Sequence, residues 1–211
     1  NELENVNIVD VSHKISPFNI VEAAYIVENS YKNFPEGSIH IIGVDSEKTI
    51  EQSHLVIKLD NHFFICANNG IMSLLASKIN PEKIIEINIH NDKITTFSVI
   101  DVFVKIAAHI YRGGSIDLVG NQIYELKELY NLNPILNEKS NEISGNVIYV
   151  DNYDNVVTNI SKKIFTEFGK SRPFEINARN YIFKEIVGSY GSAIRFDIKK
   201  ENRKEIGKKI A

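Results

Sequence analysis

LVIKLDNHFFICANNGIMSLLASKINPEKIIEINI, residues 55–89, contains each kind of element on which the fold turns. Residues 55–59 and 63–67 are β-branched and aromatic runs of strand length, and the Asp60-Asn61 pair between them suits a tight hairpin turn. Asn68-Asn69-Gly70 then marks a sharp turn at a strand end, a place where sheet proteins often put ligands. Residues 70–77 read as a helix and residues 84–89 as a further apolar strand. A strand, helix, strand succession is the signature of an α/β layer.

The same alternation extends on both sides. Upstream, the apolar run 6–11 has strand length, and Ser16-Pro17 breaks it. Asn19 with Glu22 three residues later resembles a capping box, and Val21, Ala24, Tyr25 and Val27 recur at helical spacing, which predicts a helix over 20–34 closed by the turn at 35–37. Residues 38–44 read as a buried strand. Downstream, 102–111 is a periodic helix stopped at Gly113-Gly114. The expected architecture for residues 1–130 is therefore an α/β N-terminal domain with a mostly parallel central sheet. Residues 131–142, rich in Asn, Glu, Lys and Ser, read as a linker. Residues 143–211 hold short strand-like runs at 147–150, 156–160, 174–178 and 193–198, which predicts a smaller all-β, barrel-like C-terminal domain, with 199–209 as a charged tail or helix end.

Composition excludes several function classes. The 24 basic and 27 acidic residues leave a net charge of −3, so no electrostatic footprint marks a nucleic-acid or membrane partner. The single cysteine, Cys66, lies in the apolar run FFICA, where a buried thiol is favoured over a nucleophile. No run approaches the roughly 20 apolar residues of a membrane span, and no leader pattern is present, so a cytoplasmic protein is expected. The chain opens on Asn1 rather than Met, and a preceding segment is expected. The six His are scattered without ligand spacing, so no metal site is expected.

GNVIYVDNYDNVVTNI, residues 145–160, is the densest in recognition chemistry. Two β-branched runs flank a polar turn in which Asp151 can take an ammonium, Asn155 offers the donor and acceptor pair of a purine edge, and Tyr153 supplies a flat face. A plain solvated hairpin needs the same residue types, and both readings stand on the residues alone.

Four blocks in order carry a resemblance: IVDVSHKISPFNIVEAAYIVENSYKNFPEGSIHIIGVD at 8–45, HFFICANNGIMSLL at 62–75, FSVIDVFVKIAAHIYRGGSIDLVG at 97–120, and the hairpin at 145–160. Together they resemble the S-adenosylmethionine hydroxide adenosyltransferase family, which also contains fluorinating and chlorinating enzymes. The resemblance implies a homotrimer that binds S-adenosylmethionine between the α/β domain of one subunit and the β domain of the next, with no separate cofactor. It implies in-line displacement at the ribose C5′ by water in most members, with neutral methionine leaving. Such a site gains from alignment of attacker and leaving group and from stripping water off the nucleophile. By the resemblance, Asp151 matches the carboxylate for the methionine ammonium, Asn155 the adenine-reading amide and Tyr153 an aromatic. Phe18 matches a position lining the ribose, with a helix-start staple as the competing reading. Asn69 falls in the amide pair before Gly, with a plain turn as competitor. Asp45 matches the aspartate that joins an arginine and a histidine in positioning water.

The pattern then departs. Family members continue from that aspartate with Pro-Gly-Val-Gly and an arginine, whereas this chain reads Asp45-Ser-Glu-Lys-Thr-Ile-Glu51-Gln52. Ser98 in FSVID stands where the family's Phe-His-Gly-Arg-Asp block has its histidine. Ser98 and His54, with Glu47 and Lys48 nearer Asp45, could each hold a water by a hydrogen bond, and a His is the most plausible base, although a loop His is more often surface. His13 and His109 read as structural. Val99 takes the place of the halide-contacting serine, so halide use is not expected. Nothing in 1–7 matches the family's Thr-Asp-Phe-Gly segment, and Gly188-Ser-Tyr-Gly191 runs straight into Ser192-Ala-Ile-Arg195-Phe, so segments at the N-terminus and near 188–192 are expected to be missing. Two functions follow from the resemblance: hydrolysis of S-adenosylmethionine to adenosine and methionine by water or hydroxide attack at C5′, or non-catalytic adenosyl-ligand binding by a trimer that has lost the Arg and His. A third is that the altered 46–53 loop selects a different sulfonium or adenosine derivative.

Overall fold

The computed structural model describes residues 3, 6–76, 79–89, 95–129, 132–193 and 199. They fall into two compact units, Asn1–Pro134 with Gly145–Asn159, and Ile135–Ser144 with Ile160–Ala211.

In the first unit, helix α1 (Ile20–Ser30) starts where its cap residues place it. Asn19 Oδ1 accepts from the Glu22 N–H at 3.1 Å, and the Glu22 carboxylate accepts from Asn19 Nδ2 at 3.0 Å and from the Ser16 N–H at 3.2 Å. The carboxylate thus reaches back past the cap and ties down the chain entering the helix. A 3-10 turn, Tyr31–Asn33, closes α1. Strands β1 (Ile39–Ile41), β2 (His54–Leu59) and β3 (His62–Ala67) follow, then helix α2 (Ile71–Ala76) and strand β4 (Lys83–Ile87). A π-helical turn, Val99–Phe103, leads into α3 (Val104–Tyr111), and β5 (Gly120–Ile123) ends the run.

These five strands form one sheet in the order β1-β3-β2-β4-β5. β1 pairs with β3 in parallel, whereas β2–β3, β2–β4 and β4–β5 are antiparallel. The mostly parallel sheet expected from the sequence is corrected to a mixed one. The physical reason is the Asp60-Asn61 turn: two residues can only fold β3 back beside β2. Because β2 then lies between β3 and β4, the α2 crossover joins strands of the same direction that never touch. β2 reads without alternation because both faces are buried. Leu55, Ile57 and Leu59 join Ala23 and Ala24 of α1 under one face, while Val56 meets Phe103 and Ile106 on the other.

The run 6–11 is not a strand: Ile8 is 81% exposed, and no described strand pairs with it. Its apolar residues carried the strand signal, but without a partner there is no ladder to form. β1 is likewise shorter than the expected 38–44: its bonding to β3 ends with the Ile42 N–H donating to the Ile65 carbonyl at 2.9 Å, and the chain turns at residues 44–45.

β6 (Ile135–Asn137) and β7 (Glu142–Ser144) form an antiparallel pair in the second unit, with β6 inside the 131–142 stretch read as a linker. The chain then returns to the first unit as the hairpin β8 (Val147–Val150) and β9 (Val156–Thr158), whose Tyr149 stacks on Tyr25 of α1 at 4.9 Å. The second unit continues with α4 (Lys162–Gly169) and the antiparallel pair β10 (Ile176–Ala178) and β11 (Tyr181–Phe183). The all-β, barrel-like expectation is corrected here too. Ser161 Oγ caps α4 by accepting from the Ile164 N–H at 3.2 Å, and among the described residues the strands of this unit form separate pairs rather than a closed barrel. A short helix with few apolar residues carries too weak a period to be read from sequence. Apart from Ala193, which closes a 3-10 turn, the strand expected at 193–198 lies outside the described residues, as do Ser77, Asn131 and the tail beyond Lys199. Among the described residues, no helix is long and apolar enough to cross a membrane, and no group of three or more His, Cys, Asp or Glu could hold a metal ion.

Candidate functional site

β1 and β3 run in the same direction, and β2 starts beside the end of β3, with His54 opposite Ala67. The residues after β1, the residues after β3 and the first residue of β2 therefore meet at one end of the sheet. Asp45, Asn69 and His54 come together there. α1 runs the opposite way: the Tyr31 hydroxyl at its end donates to Asp60 Oδ2, 3.1 Å away, at the β2–β3 turn. With 11 residues, α1 spans about 16 Å.

Asp45 is half-buried and adopts a left-handed backbone, φ 47°. Asp is among the few residues that tolerate this conformation. Its main chain is gripped: the Asp45 carbonyl accepts from Gln52 Nε2 at 2.8 Å and from Asn69 Nδ2 at 3.2 Å. Asn69 is 4% exposed; its Nδ2 also donates to the Val44 carbonyl at 3.1 Å, and its Oδ1 accepts from the Ile71 N–H at 3.1 Å. Its amide is thus engaged with backbone between the β1 loop and the start of α2. His54, 2% exposed, is no surface residue. Its Nε2 donates to the Ser46 carbonyl at 2.9 Å, and its ring meets Phe103 edge-on at 4.8 Å. Burial pushes its pKa below the usual imidazole value; the Ser46 bond opposes this, and Lys48 adds to it. His54 is therefore neutral near pH 7.

Ser98 reaches the same end through its neighbour: a Cβ on Gly43 would stand 2.9 Å from Val99 Cγ2, so the turn carrying Ser98 packs on the strand exit two residues before Asp45. Thr95 fixes this turn, its hydroxyl donating to the Asp101 carboxylate and accepting from the Phe97 N–H at 3.1 Å. Ser98 is 3% exposed and its hydroxyl has no hydrogen-bond partner among the described residues. A buried unpaired hydroxyl costs on the order of 1–3 kcal/mol, so Ser98 has a hydrogen bond to give to a water or a ligand.

Phe18 also adopts a left-handed backbone, φ 61°, and is 77% exposed. The staple reading fails, because a staple buries its ring. A bulky residue held at positive φ costs on the order of 1–3 kcal/mol, and such strain concentrates at ligand sites. In the hairpin, Asp151 Oδ1 accepts from the N–H groups of Tyr153 at 2.8 Å and Asn155 at 2.9 Å, while Oδ2 accepts from Asn155 Nδ2 at 2.7 Å. The Asn155 amide above all holds the carboxyl below its ordinary pKa. The carboxylate keeps lone pairs for a cation. Tyr153 is exposed beside it. Sequence reasoning missed Gln52. It is buried at 9% exposure, and no pattern around it signals a structural amide.

Residues 1–120 match the family model of the SAM hydroxide adenosyltransferase N-terminal domain, and residues 145–199 that of the C-terminal domain. The chain belongs to the SAM hydroxide adenosyltransferase family. It is 28% identical over 161 residues to the (R)-S-adenosyl-L-methionine hydrolase of Methanocaldococcus jannaschii, an alignment covering 75% of this chain and 56% of that one. The chain thus spans little more than half the length of this relative. An uncharacterized conserved protein from Thermotoga maritima shares its fold with a TM-score of 0.76 at 23% identity, covering 89% of this chain and 74% of that one. A conserved hypothetical protein from Thermus thermophilus gives 0.56 at 22% identity, covering 72% and 59%. The family is enzymatic, and the Methanocaldococcus relative is named for hydrolysis of S-adenosyl-L-methionine. The turn carrying Ser98 packs on the strand exit that leads to Asp45, and the Asp151 hairpin is a separate, self-braced cluster of the same unit.

Proposed function

We propose that this protein hydrolyses S-adenosyl-L-methionine to adenosine and L-methionine. The observation that carries the reading is the buried, unpartnered Ser98 hydroxyl on the turn packed against the strand exit that leads to Asp45, in a chain of this family. Asp45 orients the attacking water and Ser98 gives it a second hydrogen bond. The water oxygen bonds to C5′ as the C5′–S bond breaks; the electron pair stays on sulfur, methionine leaves neutral, and the water proton passes to solvent. No acid is needed at the leaving group. Catalysis then rests on alignment and on partial desolvation of the water. Asp151 receives the methionine ammonium, Asn155 reads the adenine edge, Asn69 holds the Asp45 loop, and Phe18 with Tyr153 encloses sugar and base. The working protein is a homotrimer with sites shared between subunits.

A second reading is a non-catalytic adenosyl-ligand binding protein. It is favoured by the engagement of His54 with Ser46, which takes the nearest imidazole out of water activation. The deciding experiment incubates the full chain with S-adenosylmethionine and follows adenosine and methionine by chromatography, beside Asp45→Ala and Asp151→Ala. Product that Asp45→Ala abolishes, and that Asp151→Ala forms only at raised S-adenosylmethionine, establishes hydrolysis. Absence of product with adenosine still bound in a calorimeter sinks it in favour of the binding reading.

A further inference from the structure

Three of the buried polar side chains at this end of the sheet converge on one short stretch of backbone. The carbonyls of Val44, Asp45, Ser46 and Glu47, four in succession, each accept from a buried side chain. Asn69 Nδ2 donates to Val44 and Asp45, Gln52 Nε2 to Asp45 at 2.8 Å and Glu47 at 3.0 Å, and His54 Nε2 to Ser46. The left-handed turn at Asp45 takes these carbonyls out of any sheet ladder, so something else must satisfy them where the loop is covered. Both amides have both N–H groups engaged. Because a carbonyl only accepts, the imidazole must carry its proton on Nε2.

We infer that Gln52, His54 and Asn69 are positioning residues that lock the 44–47 loop and so aim the Asp45 carboxylate, and that none of them carries a proton in the reaction. Loop geometry of this kind sets rate rather than affinity, since misplacing a reacting group by about 1 Å costs on the order of 100-fold. The clamp also links elements: Asn69 Oδ1 holds the first N–H of α2, and the ring of His54 rests on Phe103 beneath α3. Asp45 is thereby tied to the helix layers on both faces of the sheet.

The kinetic arm of the test rests on the hydrolytic reading; the structural arm does not. His54→Leu and Gln52→Leu should each lower kcat by about 10- to 100-fold with KM within about threefold. His54→Gln, whose amide nitrogen takes the place of Nε2, should recover most of that loss, and its pH–rate profile should overlay the wild type between about pH 6 and 8. A His54→Gln protein as inactive as His54→Leu, in which an acid limb of the wild-type profile has vanished, makes His54 the base and overturns the inference. Should the wild type form no adenosine, the hydrolytic reading fails by itself and the clamp is judged from crystal structures. Asp45 leaving the left-handed region in His54→Leu but not in His54→Gln supports it. An unmoved Asp45 in both overturns it.

Discussion

Two carboxylates anchor the residue scale, and their surroundings assign them different work. Asp151 is braced by three hydrogen bonds from its own hairpin, which favour its ionised form and set it up as a fixed negative charge. Asp151→Asn keeps the shape and removes the charge, so S-adenosylmethionine should bind at least 10-fold more weakly, with the change in KM rather than kcat, as steady-state kinetics would show. Asp45 has its main chain held instead, by the Gln52 and Asn69 amides, and in the proposed reaction its carboxylate orients the water. Ser98 offers the sharper test. Its unpartnered hydroxyl is a burden on the fold, so Ser98→Ala should raise stability by about 1 kcal/mol in calorimetry while lowering turnover. A fall in melting temperature would mean that the hydroxyl has a partner in the folded chain.

At the scale of elements, the site end of the sheet is held by close backbone approaches. Gly70 turns the chain from β3 into α2 at φ 100°, and a Cβ there would sit 2.4 Å from Leu129 Cγ. Gly70→Ala is strained in backbone and side chain alike and should destabilise by about 1–3 kcal/mol in denaturant titration. Gly120 has a different reason: its Cβ would lie 1.8 Å from the Glu86 carbonyl, across the β4–β5 ladder. Gly120→Ala must part those strands, and a loss of about 2–3 kcal/mol is expected by the same measurement. The cap of α1 is milder, with Asn19→Ala expected to cost about 1 kcal/mol.

The whole molecule has a second polar assembly, at the opposite end of the sheet from Asp45. His40 Nε2 and His62 Nδ1 lie 3.1 Å apart on neighbouring parallel strands, and the His40 ring stacks on Phe64 at 4.8 Å. One nitrogen must donate and the other accept, so a proton added to the accepting nitrogen breaks the pair. Burial first, then the His62 charge, pushes the His40 pKa down to about 4. Below about pH 6.5 the unfolded chain therefore binds a proton that folded His40 refuses. Stability is fully present above about pH 6.5, falls as pH drops toward about 4, and gains no further loss from this group below that. Thermal melts across this range should show the decline, and His40→Phe should flatten it.

Much of the first unit was legible because its signals are local. Asn19 and Glu22 announce α1 through bonds made within one turn, and Asp60-Asn61 announces the β2–β3 hairpin. The apolar runs of β2, β3 and α3 named the core. Sheet direction was not legible, because which strand lies between which is decided by long-range pairing. Residues 6–11 and the helix α4 were misread for related reasons: an apolar run becomes a strand only beside a partner, and a short helix is set more by its Ser161 cap than by periodicity. For the site, the sequence alone determined the family and the residue types at positions 45, 98, 151 and 155. Tertiary structure alone decided that Gln52, His54 and Asn69 are buried donors to one loop, that Asp45 turns left-handed, and that Ser98 lacks a partner among the described residues. Residue type fixes what a side chain can offer, but only the packed chain decides which of those offers are already taken.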